Sequence, residues 1–105
     1  MVREEICKDA IKLWGVDAQL DMVIEECSEL IKAICKYKRS HHKEIDSLHV
    51  AEEHADVLIM LDQLSYIMSK HDPEHHNTYH EIKKCYTLDK VVRLTNRIDS
   101  EKRMK

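Results

Sequence analysis

The stretch LDMVIEECSELIKAIC, residues 20–35, decides the fold. Leu20, Val23, Ile24, Cys27, Ile31, Ile34 and Cys35 recur at i, i+3, i+4 and i+7, the period of a helix with an apolar face. Asp17 is a candidate N-cap upstream, and the pattern runs on to about Arg39. Before it, residues 2–14 place Ile6, Ala10, Ile11 and Leu13 in a helical pattern that ends near Gly15, a residue that enters a left-handed cap without steric cost. After it, the polar segment Ser40 to Asp46 reads as a connection, and Ser47 offers an N-cap for a third helix reaching about Lys70. Asp72-Pro73 has the signature of a fourth helix start, although the polar run Glu74 to Asn77 allows a start as late as Thr78. That helix carries Ile82, Cys85, Leu88, Val92 and Ile98 toward a charged, frayed tail at Ser100 to Lys105.

Composition agrees with an all-α fold. One Gly, one Pro and no Phe in 105 residues leave too few turn and aromatic strand formers for a sheet protein. We therefore expect one domain over residues 1–105, a small four-helix bundle. A chain this short buries only roughly 60 to 70% of its unfolded surface, so a homodimer or homotetramer would add to a modest core. The net charge of −3, from 17 basic and 20 acidic residues mixed along the chain, gives no footprint for nucleic acid. The longest apolar run, Val57 to Leu61, is far short of the ~20 residues of a membrane span, and the charged start Met1 to Glu5 lacks a signal-peptide core. Cys7, Cys27, Cys35 and Cys85 form no C-x-x-C pair and read as small buried hydrophobes with free thiols. A cytoplasmic location, without membrane or nucleic-acid partners, follows as the expectation.

The third helix carries an anomaly. A helical wheel sets Met60, Leu64 and Ile67 on one stripe, flanked by Val57 and Met68, and Glu53 and Asp56 fall on the same side. Carboxylates facing a core need a cation, a basic partner or water. On the second helix, Glu26 and Glu29 lie one turn apart, interleaved with Met22, Leu30 and Ala33, and Glu25 lies further round. Each helix thus offers two carboxylates at i, i+3. If the helices pack antiparallel, the pairs can converge. Four oxygen ligands without Cys or His suit a hard cation such as Mg²⁺, with Mn²⁺ as a substitute. The competing reading is an ordinary solvated acidic face. A di-iron bundle is disfavoured because no Glu here has a His three residues later.

The segments Glu25-Glu26-Cys27-Ser28-Glu29-Leu30 and Glu52-Glu53-His54-Ala55-Asp56-Val57 resemble the E-E-x-x-E and E-x-x-D motifs of MazG-type nucleotide pyrophosphohydrolases. The likeness extends to Trp14-Gly15, Gln19, Ala33 and Arg39, and to the run Lys90, Arg93, Leu94, Arg97 and Ile98. It implies an all-α NTP pyrophosphatase fold, an oligomer, Mg²⁺ dependence and cleavage of a nucleoside triphosphate between its α- and β-phosphates. By position, Glu26, Glu29, Glu53 and Asp56 match the family's metal ligands, and Glu25 matches an acidic residue that helps hold an ion or orient water. His54 and the histidine-rich segment Asp72 to His80 depart from the family pattern.

Hydrolysis of a (deoxy)nucleoside triphosphate to monophosphate and pyrophosphate then needs a metal-activated water and a carboxylate to take its proton. Glu29 or Glu25 is the expected base. Lys90, Arg93 and Arg97, at i, i+3 and i+7, form a basic face that suits phosphate oxygens or simply faces solvent. Trp14 and Gln19 either belong to the core or stack on and hydrogen-bond to a base. His41-His42 and His75-His76 fall in expected loops and receive no role. The alternative to an enzyme is a non-catalytic helical oligomerisation module, in which the carboxylates matter little.

Overall fold

The computed structural model describes residues 2–71 and 76–104, and the described residues form helices and short turns with no strand. Four helices follow in chain order: α1 Arg3–Trp14, α2 Val16–Arg39, α3 Glu44–His71 and α4 His76–Met104. None of them is long and apolar enough to cross a membrane. They fall into two compact units, Met1–Ile67 and Met68–Lys105, each taken by itself below.

Helix boundaries follow from local chemistry. Gly15, at φ 92°, ends α1 by donating its N–H to Ile11 O at 2.8 Å. Its own carbonyl accepts from Gln19 N at 3.1 Å, so the same residue also opens α2. Asp17, expected as the N-cap, therefore lies inside the first turn, because one permissive residue reverses the chain without a separate cap. At the other end of α2, His42 N reaches Tyr37 O at 3.0 Å while His41 takes φ 59°, the six-to-one bond and left-handed residue of a Schellman cap. His42 is also left-handed, at φ 64°, and its ring stacks on Tyr37 with centroids 4.7 Å apart. α3 starts at Glu44, before the expected cap Ser47, whose hydroxyl instead donates back to Glu44 O at 3.0 Å. The expected fray from Ser100 is replaced by helix to Met104, helped by Arg97 to Glu101 at 3.3 Å and Arg103 Nε to Asp99 O at 3.4 Å. The expected start at Asp72-Pro73 lies outside the described residues, and α4 is helical from His76.

In the first unit α2 and α3 run antiparallel, and three polar pairs set their register. Gln19 meets Gln63 at 2.6 Å, Glu26 lies with Asp56, and Lys36 meets Asp46 at 3.8 Å. Each step forward on α2 is matched by an equal step back on α3. α1 is held beside the C-terminal half of that α3 segment, with Arg3 on Asp62 at 2.7 Å and Lys8 over the Tyr66 ring at 5.3 Å. The apolar core is small: Cys7, Val23, Ala33, Val57, Met60 and Ile67.

Val57, Met60 and Ile67 confirm the expected inward stripe of α3, whereas Met68 is exposed. α2 departs from expectation. Its buried face carries Gln19, Val23 and Ala33, while Ile24 is 68% and Ile31 62% exposed, and Ile34 and Cys35 are exposed too. The helix has two competing stripes, and the one containing Glu26 turns toward α3. Of the four free cysteines, Cys7 is buried as expected, but Cys35 and Cys85 are exposed. α4 is exposed from His80 onward, including Ile82, Leu88, Val92 and Ile98. In the second unit Ser69 Oγ lies 2.8 Å from His80 Nε2.

Ile67, 3% exposed, has no room to be replaced without a void. Ile67→Ala should cost about 2–4 kcal/mol in urea unfolding, and Leu13→Ala on the solvent side of α1 under about 0.5 kcal/mol. Equal costs would refute this placement of the core.

Candidate metal and nucleotide site

The antiparallel seam brings together carboxylates that are 27 to 30 residues apart in sequence. Glu26 from α2 and Glu53 and Asp56 from α3 each offer one oxygen, and these oxygens lie within 4.8 Å of one another. Glu53 and Asp56 stand one turn apart on α3, so both point to the same side. Glu53 is largely covered, its side chain 12% exposed, and its Oε1 lies 3.3 Å from Nε2 of His49 one turn earlier. Among the described residues, no lysine or arginine pairs with Glu26 or Asp56.

The electrostatic consequence falls on Glu26. Burial pushes its carboxyl above the usual Glu range, and the negative charges of Asp56, Glu53, Glu25 and Glu29 push it further in the same direction. Three like charges at this distance, without a protein cation against Glu26 or Asp56, make a donor set that a hard divalent ion would relieve. The donors in the close group are all carboxylate oxygens, hard ligands with no thiolate among them.

Glu29, expected as a fourth ligand, is not in the close group. Its Oε1 is paired with Lys32 at 3.4 Å, and its side chain is 43% exposed. The charge of Glu29 still bears on Glu26, as does that of the exposed Glu25. Both stand at the margin of the cluster on α2.

Beside the carboxylates the α2/α3 groove opens into a pocket of about 600 Å³. Met22, one turn before Glu26, and Met60, one turn after Asp56, line it together with Trp14, Ala18, Gln19, Asp21 and Gln63. Trp14 and Gln19, which the sequence offered for a base, line this pocket, and Gln19 stands two turns before Glu26 on α2. Gln63 was not anticipated. The available signal was its position two turns after Asp56 on the inward stripe of α3, a polar residue where an apolar one would pack.

Lys90, Arg93 and Arg97 lie on α4, in the other unit, and are exposed. Arg93 pairs with Asp89 at 2.9 Å and Arg97 with Glu101 at 3.3 Å, each one turn away on the same helix. His41 and His42 lie in the α2–α3 connection, as expected, whereas residues 72–75 of the histidine-rich segment fall outside the described residues and His76, expected in a loop, is the first residue of α4.

A carboxyl whose folded pKa is raised stabilises the fold fully below its ordinary unfolded value, and that contribution is lost as pH rises through the folded value. At neutral pH the charged Glu26 is therefore a cost. Glu26→Gln should raise the melting temperature of metal-free protein by a few degrees at pH 7, and the gain should shrink as pH falls through the raised value. A variant that melts lower than wild type at pH 7 would contradict the repulsion. No protein-family model, curated protein or solved structure matches the chain, so its function must be sought in this geometry and in the sequence motifs.

Proposed function

We propose that the chain is a cytoplasmic nucleoside triphosphate pyrophosphohydrolase, releasing a nucleoside monophosphate and pyrophosphate with Mg²⁺ as cofactor. The observation that carries this reading is the convergence of Glu26, Glu53 and Asp56 beside an open pocket walled by Trp14, Gln19 and two methionines. The groove would offer the planar half of a ligand an indole and an amide, and its anionic half a divalent ion held by the carboxylates. The likeness of residues 25–30 and 52–57 to MazG-type motifs supports the same reading.

Glu26, Glu53 and Asp56 would hold the ion, and Glu29 can join them if its carboxylate leaves Lys32. When bound, Mg²⁺ supplies the positive charge that lets a polyphosphate approach three carboxylates and makes water nucleophilic at neutral pH. Water oxygen bonds to the α-phosphorus, the bond to the bridging oxygen breaks, and pyrophosphate leaves with the electron pair. Glu29, or Glu25 beside it, accepts the water's proton. His49 holds Glu53 in place from the neighbouring turn. The resemblance alone proposes Lys90, Arg93 and Arg97 as phosphate contacts, and within α4 Arg93 and Arg97 pair with Asp89 and Glu101.

The exposed face of α2 favours self-association as part of the same proposal. Ile24, Ile31 and Ile34 repeat along one side of the helix, and a homodimer or homotetramer would cover them. Ile31→Asp should lower the mass seen in sedimentation to that of a single chain; a wild type already of single-chain mass would exclude the oligomer. A purely structural oligomerisation module would share this face, but would not depend on the carboxylates.

Pyrophosphate release from a panel of ribo- and deoxyribonucleoside triphosphates tests the enzyme. Release should require Mg²⁺ and fall roughly a hundredfold or more in Glu53→Gln, beyond the loss typical of groups that only support a ligand. Glu29→Gln should abolish turnover while largely sparing nucleotide binding. No release from any nucleotide would move the oligomerisation module to the front.

A further inference from the structure

The floor of the pocket is a pair of amides. Gln19, 4% exposed, donates Nε2 to Oε1 of Gln63, 5% exposed, at 2.6 Å. Two buried amides between helices contribute less to stability than apolar residues of the same size would, so their presence in a core of six apolar side chains calls for another use. The bond engages one donor of Gln19 and one acceptor of Gln63. Gln19 Oε1 and Gln63 Nε2 remain, an acceptor beside a donor. Both residues line the pocket, and no fully enclosed side-chain polar atom among the described residues lacks a partner. The same pocket is lined by the exposed indole of Trp14, a flat stacking surface, and by Met22 and Met60, whose thioethers suit an aromatic ring.

We propose that the Gln19–Gln63 pair is the edge that reads a nucleobase, and that Gln63 determines base specificity. This rests on the nucleotide reading of the carboxylate site. Gln63 Nε2 donates to a ring nitrogen or carbonyl of the base, and Gln19 Oε1 accepts from the adjacent N–H. The mutual hydrogen bond holds the two amides in one orientation, so donor and acceptor are presented in a set order. Placing the base against Trp14 directs the attached sugar and phosphates along the groove toward Glu26 and Asp56, one turn beyond the methionines.

Gln63→Glu is the informative variant. Its carboxylate still accepts from Gln19 Nε2, keeping the interhelical bond, but replaces the outward donor with an acceptor. At pH 8 cytosine, whose exocyclic 4-amino group donates, should then be favoured over uracil, whose O4 only accepts, by about tenfold relative to wild type, the scale of one hydrogen-bonding group. Gln63→Met, which removes both polar groups, should weaken every base and narrow the differences between them. Circular dichroism establishes that each variant is folded.

Two readouts separate this proposal from the reaction. Trp14 is the chain's one tryptophan, so its fluorescence reports cytidine or uridine entering the pocket without phosphate or metal. Quenching by nucleosides that reorders in Gln63→Glu supports the base-reading pair, even if no triphosphate is hydrolysed, in which case the hydrolase reading alone fails. Pyrophosphate release by a folded Gln63→Glu with unchanged base ranking would overturn the role of Gln63 and leave the hydrolase reading standing. Absence of quenching by any nucleoside would likewise overturn the pocket assignment.

Discussion

The seam between α2 and α3 carries most of what distinguishes this chain from a generic helical hairpin. It is tied by unlike polar pairs: an amide pair at Gln19 and Gln63, a carboxylate group at Glu26 and Asp56, and an ion pair at Lys36 and Asp46. Apolar contacts alone tolerate small shifts along the helix axes. These pairs do not, because a slip of one helical turn would set Gln19 against Ile67 and Glu26 against Met60, leaving polar groups buried without partners. Register and site are therefore the same property of the molecule. Along the same seam Val23, Val57 and Ala33 are buried.

This arrangement carries a cost. Glu26 is held among four other acidic charges and partly removed from water, which makes its ionised form unfavourable in the folded chain. Covering the same stretch with apolar side chains would give a more stable hairpin. Functional sites are commonly the places where a fold gives up stability of this kind, and a divalent cation would reverse the sign of the interaction. The apolar face of α2 at Ile24, Ile31 and Ile34 points the same way. The side of the helix richest in isoleucine is turned to solvent, while the side carrying Glu26 is turned inward.

Much of the fold was legible in the residues. The end of α1 at Gly15 follows from the conformational freedom of glycine, and the end of α2 near Arg39 from the loss of apolar periodicity. Boundaries failed where two local signals competed. Gly15 opened α2 as well as closing α1 and displaced Asp17, and α3 began at Glu44, before Ser47, its first turn closed by Ser47 N on Lys43 O. At the C-terminus, side-chain contacts at one-turn spacing kept residues 100–104 helical where composition suggested fraying.

For the site, sequence by itself determined the spacing along each helix: Glu53 and Asp56 one turn apart on a stripe that also carries Met60, and Glu25, Glu26 and Glu29 within one turn of each other on α2. Spacing sets the angle of a side chain about its own helix and nothing more. α2 carries two stripes of comparable apolar content, and only packing against α3 decided that the one with Gln19, Val23, Glu26 and Ala33 faces inward. That rotation, with the antiparallel register, joined Glu26 to Glu53 and Asp56, left Glu29 with Lys32, and set Gln63 on Gln19 across the groove. Which residues meet across two helices depends on their relative rotation and translation, and these follow from the packing of whole faces, a property that no local pattern in the chain encodes.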